Sequence, residues 1–125
     1  MSKVQRVGDL DVYRKLVDLH LRVNEASLGY PSFELYELAS QVRRSSNSAP
    51  ANLAEGFNNR HVRNYLEAIN RALGEVRETQ HHLLMAFRKG YLRRKDYDSF
   101  MGEYNEAARM LRGLERSLGD SCGAG

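Results

Sequence analysis

Val62 to Phe87 reads VRNYLEAINRALGEVRETQHHLLMAF. Within it, Val62, Leu66, Ile69, Leu73, Val76, Gln80, Leu83 and Phe87 step by four and three without a miss. An α-helix turns once every 3.6 residues, so these positions form one stripe along it. A sustained four–three alternation is the heptad seam of helices that cross at a shallow angle. Asn58 or Asn59 is the expected cap of this helix, and Gly90 the expected stop. Such a seam must be covered, and the rest of the chain offers three further helices to cover it.

Upstream, Val12, Leu16, Leu19, Val23 and Ala26 mark a helix from about Leu10 to Ser27, with Asp9 as a plausible cap. It ends at Leu28-Gly29-Tyr30-Pro31, where Pro31 biases Tyr30 away from helix. Ser32 is the expected cap of a second helix reaching about Phe57, with the stripe Leu35, Ala39, Val42, Ser46, Ala49, Leu53 and Phe57. Pro50 lies inside it and removes a backbone hydrogen bond. The poor helix formers Ser45 to Ser48 precede it, so a kink or local break near Ser46 is expected. A fourth helix spans about Arg94 to Leu118. Its apolar face is Tyr97, Phe100 or Met101, Tyr104, Ala108, Leu111, Leu114 and Leu118, and Gly119 is its expected end. Strand-like alternation is not sustained anywhere. Short connections make consecutive helices antiparallel neighbours. The expected fold is all-α: an antiparallel up-down four-helix bundle with a kinked second helix. Residues 1–9 form an N-terminal extension, 10–118 the bundle and 119–125 a flexible tail. The first and third turns then share one end, and the second turn and both termini the other.

The chain has 125 residues and a formal net charge of +3, a size that suits one domain. Its single cysteine, Cys122, cannot form an internal disulfide. With no apolar run of about 20 residues and no apolar segment behind the N-terminus, the expected location is the cytoplasm, away from membranes.

The second helix carries a polar stripe beside its apolar one: Gln41, Ser45, Ser48, Asn52 and Glu55, ending at Gly56. On the third helix Glu67, Asn70, Gly74, Arg77 or Glu78, and His81 form another. Either stripe is a partly solvated flank or a seam where another helix, internal or from a second subunit, approaches closely. Small residues permit that approach, and amides fix its register. Gly74 costs its helix up to ~1 kcal/mol relative to Ala, which close packing would explain.

Gln41-Val42-Arg43-Arg44-Ser45-Ser46-Asn47-Ser48-Ala49-Pro50-Ala51-Asn52-Leu53-Ala54-Glu55-Gly56-Phe57 resembles the signature of the four-helix bundle proteins encoded by intervening sequences in bacterial 23S rRNA genes. Ala72-Leu73-Gly74-Glu75-Val76-Arg77-Glu78 resembles that family's second block. Gly90-Tyr91-Leu92 and Met110-Leu111-Arg112-Gly113-Leu114 fit it too, so the resemblance runs from about Val12 to Leu118. The chain departs from the pattern at Ser45, usually Ala, at Ala49-Pro50, and at Arg93-Arg94-Lys95, which replaces an acidic start of the fourth helix. The resemblance implies a homopentameric ring and a nucleic-acid role. One related branch consists of accessory proteins of diversity-generating retroelements, which bind a reverse transcriptase and RNA or DNA.

Charge distribution supplies candidate contacts. Arg88, Lys89, Arg93, Arg94 and Lys95 surround the third turn with no acid among them. Arg60, His61 and Arg63 open the third helix at the opposite end, and Arg43 and Arg44 lie on the second. Phosphate contacts need cations but little geometry. Arg88 and Lys89 also complement a helix C-terminus, whereas Arg93 to Lys95 oppose the dipole at a helix N-terminus.

Glu78-Thr79-Gln80-His81 has the spacing of one half of a di-iron site. The second Glu-x-x-His is missing, since His20, His61 and His82 have no Glu three residues before them. No phosphate loop, paired-cysteine zinc motif or nucleophile elbow is present. No catalytic residue, metal or cofactor is therefore expected. The leading expectation is an oligomeric bundle that binds RNA or DNA weakly through its arginines. The alternative is an interaction subunit of a protein such as a reverse transcriptase.

Overall fold

The computed structural model describes residues 4–124, with side chains to residue 119. Four helices carry the fold: α1 (Asp11–Ser27), α2 (Leu38–Gly56), α3 (Val62–Arg88) and α4 (Arg94–Ala124). No strand occurs among the described residues. Each helix packs on its sequence neighbours, and α1 meets α4 to close an up-down bundle. The shared core includes Leu16, Leu19, Val42, Leu53, Ile69, Val76, Leu83 and Leu111, all fully buried. Each such side chain contributes roughly 1.5–3 kcal/mol.

The α3 seam faces the core, although Val62, Leu66, Gln80 and Phe87 are only half-buried. Ile69, Leu73, Val76 and Leu83 are buried, and Tyr65, Ala68, Ala72, Thr79 and Ala86 widen the buried face. Gly90 closes the helix in the left-handed region, at φ 84°. There the Tyr91 amide donates to the Ala86 carbonyl (2.8 Å) and the Gly90 amide to that of Phe87 (3.0 Å). This pair of bonds satisfies carbonyls that a helix end leaves free. At the other end the cap position is His61, not Asn58 or Asn59. Asn59 acts from outside the helix, its Oδ1 accepting from the His61 amide at 2.9 Å.

Asp9 does not cap α1. It ends a short 3-10 turn, Val7–Asp9, and Leu10 takes the cap position. The Asp9 carboxylate instead accepts from the amides of Gln5 and Arg6, each at 3.0 Å. Those bonds lower its pKa.

The start of α2 also differs from the sequence expectation. Ser32 opens a 3-10 turn, Ser32–Glu34, and α2 begins only at Leu38. The cause is Glu34, which turns inward and is 1% exposed. Its Oε2 accepts from Lys89 Nζ (3.0 Å) and Tyr91 Oη (2.9 Å). Its Oε1 accepts from the Leu38 amide at 3.4 Å, one of the free donors at the start of α2. Leu35, expected in the apolar stripe, is consequently exposed.

Further along, α2 continues through Ser46 and Pro50 to Gly56, so the expected break does not occur. Ala49, Pro50 and Leu53 are all buried, and packing holds the helix across the missing amide. Ser45 and Ser46 turn their hydroxyls onto the carbonyls of Val42 and Arg43. The fourth helix starts at Arg94 as expected and passes Gly119, its expected end, to Ala124. The Cys122 side chain and the last residue of the expected tail lie outside the described side chains and residues. No helix among the described residues is long and apolar enough to cross a membrane.

Candidate interaction surfaces

The third-turn cations are less free than the sequence suggests. Acids from two elements meet three of the five. Lys89 pairs with Glu34, Arg93 Nε lies 3.3 Å from Asp96, and Arg94 Nε lies 3.5 Å from Asp98. Arg94 also stands over the Phe87 ring, 5.6 Å from its centroid, and Phe87 stacks on Tyr97. The hydrogen bond to Glu34 raises the Lys89 pKa, and the same bond is the main reason the Glu34 pKa is lowered. Arg88 and Lys95 are exposed and have no ion-pair partner among the described residues.

Elsewhere the candidate cations separate similarly. Arg43 is half-buried and donates from Nε to Ser27 Oγ at 2.6 Å. Arg44, Arg60 and Arg63 are exposed, again with no ion-pair partner among the described residues. The unpaired members of the candidate set thus fall into a pair at the second turn, a pair at the third, and Arg44 on α2. Arg71, Arg77, Arg109, Arg112 and Arg116 are exposed on α3 and α4, likewise without an ion-pair partner among the described residues.

The polar stripe of α2 divides as well. Ser45 is fully buried against α3 and accepts a hydrogen bond from Thr79 Oγ1 at 2.8 Å. Gly56 is pressed on α3 so closely that an added Cβ would lie 2.2 Å from Ala68 Cβ. Both are contacts inside the chain. Asn52 turns back onto its own helix, donating to the Ser48 carbonyl at 2.9 Å. Gln41 and Glu55 are exposed. Gly74 is exposed, and an added Cβ would meet nothing within 4 Å.

Two histidines are partly withdrawn from solvent. His20 Nδ1 lies 2.7 Å from Ser46 Oγ. His82 Nε2 lies 4.0 Å from Glu78, the carboxylate that the sequence spaces toward His81. Burial lowers the pKa of both His20 and His82. Among the described residues no three His, Cys, Asp or Glu side chains are grouped so as to hold a metal ion.

One feature escapes a reading of charge. The turn before α2 displays Phe33, 72% exposed, and Tyr36, 88% exposed, with Leu28 and Leu35 also open to solvent. Helical periodicity does not mark them, since Tyr36 lies three residues before Ala39 and Leu35 of the expected stripe is exposed beside them. Leu28 and Leu35 line one groove of about 230 Å³, together with Tyr30, Pro31, Ala39 and Arg43. Tyr36 and Glu37 line another of about 310 Å³, against Gln41, His82 and Lys89.

A family model described as 23S rRNA-intervening sequence protein matches residues 8–113. No curated protein matches. Among solved structures, the chain is similar to a protein of unknown function from the S23 ribosomal protein family of Bacteroides thetaiotaomicron. The two are 23% identical, with a TM-score of 0.77 over 84% of this chain and 95% of that one. That likeness carries the fold alone.

Proposed function

We propose a function from one premise: this chain belongs to the 23S rRNA-intervening sequence protein family. We infer that it is a non-enzymatic cytoplasmic bundle that assembles with copies of itself into a ring, a pentamer by resemblance. It binds RNA or DNA weakly and without sequence preference. The observation that supports this reading is a set of exposed cations without acidic partners among the described residues, which includes Arg44, Arg60, Arg63, Arg88 and Lys95. Phosphate contacts of this kind release counterions, so their affinity falls steeply with salt. A ring multiplies each pair by the number of subunits, which converts weak single contacts into usable avidity.

The test is RNA and DNA binding by the purified chain across a salt series, alongside the double variants R60A/R63A and R88A/K95A. Binding that falls with salt and falls further in both variants supports the reading. Salt-insensitive binding, or none at low salt, removes it.

The apolar turn before α2 favours a second reading, an accessory subunit docking on another protein such as a reverse transcriptase. Contiguous exposed apolar surface is a mark of protein interfaces. A partner retained in a pull-down after nuclease treatment separates this reading from the first.

A further inference from the structure

We propose that the turn before α2 is a protein-docking surface, and that the cleft beside Tyr36 and Glu37 receives an arginine or lysine that the partner presents between apolar residues. The inference deepens the accessory-subunit reading and rests on it; it names the surface and the chemistry that fits it.

Large side chains come first. Leu28, Phe33, Leu35 and Tyr36 are all exposed within nine residues of chain. A lone exposed leucine is ordinary, but four large apolar side chains open within one short turn, two of them aromatic, are not. Phe33 and Tyr36 flank Glu34, whose buried carboxylate is fastened to Lys89, Tyr91 and the Leu38 amide. The display is therefore held in place before a partner arrives, which reduces the ordering cost of association.

Charge then selects the partner. The polar lining of the cleft of about 310 Å³ is Glu34, Tyr36, Glu37, Gln41, His81, His82 and Lys89. The Lys89 charge is already matched by Glu34. His82 is kept toward its neutral form by burial. Glu37 is exposed and has no ion-pair partner among the described residues. The unbalanced charge is negative and lies next to an open aromatic face. A guanidinium or ammonium group is attracted to both. A phosphate would meet Glu37 and find no unpaired lysine or arginine in the lining, so this cleft does not belong to the arginine-based nucleic-acid surface. Arginine and tyrosine are also the side chains that most often dominate protein interfaces. Apolar neighbours of the inserted cation would cover Phe33 and the groove lined by Leu28 and Leu35.

The experiment selects a phage-displayed library of random peptides on the immobilised full chain, then measures the enriched peptides against Y36A, E37Q and the distant control E55Q. The three positions are exposed, and circular dichroism checks that each variant is folded. Enrichment of peptides carrying Arg or Lys between apolar residues is expected. Their affinity should fall at least tenfold in Y36A and in E37Q and hold in E55Q. No enrichment, acidic enriched peptides, affinity unchanged in Y36A and E37Q, or displacement of the peptides by poly(U) RNA at physiological salt would overturn the proposal. A nuclease-resistant partner that still binds Y36A and E37Q would refute this site alone. Absence of any such partner would refute the accessory-subunit reading itself.

Discussion

Gly56 and Gly74 lie on adjacent helices in opposite circumstances, and their alanine variants should move stability in opposite directions. At Gly56 a methyl group would collide with Ala68 Cβ and press on the Asn64 carbonyl at 3.2 Å. Both are held by α3, so the helices must part. Overpacking of this kind costs about 1–3 kcal/mol, and urea denaturation of G56A should show a loss in that range. At Gly74 the space is open, so G74A should gain up to ~1 kcal/mol of helix propensity. If a neighbouring subunit packs there instead, G74A will weaken assembly in light scattering. Tyr104 gives a third single-residue test. Its ring is fully buried and its hydroxyl is enclosed with no hydrogen-bond partner among the described residues. An unpaired buried hydroxyl is unfavourable, so Y104F should stabilise the chain by about 1 kcal/mol in the same assay.

Among the elements, α3 was the most legible, because a heptad over seven turns of helix leaves only one face to bury. The start of α2 was not legible. Local preference favours a helix from Ser32, but Glu34 makes its bonds to Lys89 and Tyr91, which are far away in sequence. The break at Ser46 was expected from local cost, and burial of Ala49, Pro50 and Leu53 outweighs it. Candidate contacts divide the same way. The pairing of Arg93 with Asp96 and of Arg94 with Asp98 follows helical spacing, yet the run of cations around the turn had pointed to free arginines there. The pairing of Lys89 with Glu34 depends on the fold. These tertiary bonds should appear in the pH dependence of stability. His20 and His82 have pKa values lowered from 6.5 by burial. The unfolded chain therefore takes up protons first as pH falls through 6.5, and stability declines from there. The Glu34 and Glu103 carboxyls have pKa values lowered from 4.5, chiefly by hydrogen bonds from Lys89 and Arg22 respectively. Their contribution is full above 4.5 and is lost as pH falls through the folded values. Urea midpoints should thus decline in two stages. H82Q should flatten the first and E34Q the second. E34Q should also speed amide exchange in the turn from Phe33 to Leu38, since it weakens the bonds that hold that turn.

At the scale of the whole molecule, assembly and ligand binding can be read together. Light scattering of the purified chain should give a ring-sized particle, several times the 14.3 kDa of one chain. For single-stranded RNA, the slope of log affinity against log salt should shrink by about 0.7 for each phosphate-contacting cation removed. Neutralising Arg88 and Lys95 should therefore flatten it more than neutralising Arg93 and Arg94, which already face acids. The placement of the free cations has a consequence of its own. Arg60 and Arg63 lie at one end of α3 and Arg88 at the other, along a helix of 27 residues that separates them by about 40 Å. Arg71 and Arg77, also exposed and without an ion-pair partner among the described residues, lie between them. A short oligonucleotide therefore reaches only part of this span, whereas a long RNA can reach both ends or run on to a second molecule. Mixed at low salt, the protein and a long transcript should turn cloudy, as strands become stapled to one another, while a short oligonucleotide leaves the solution clear.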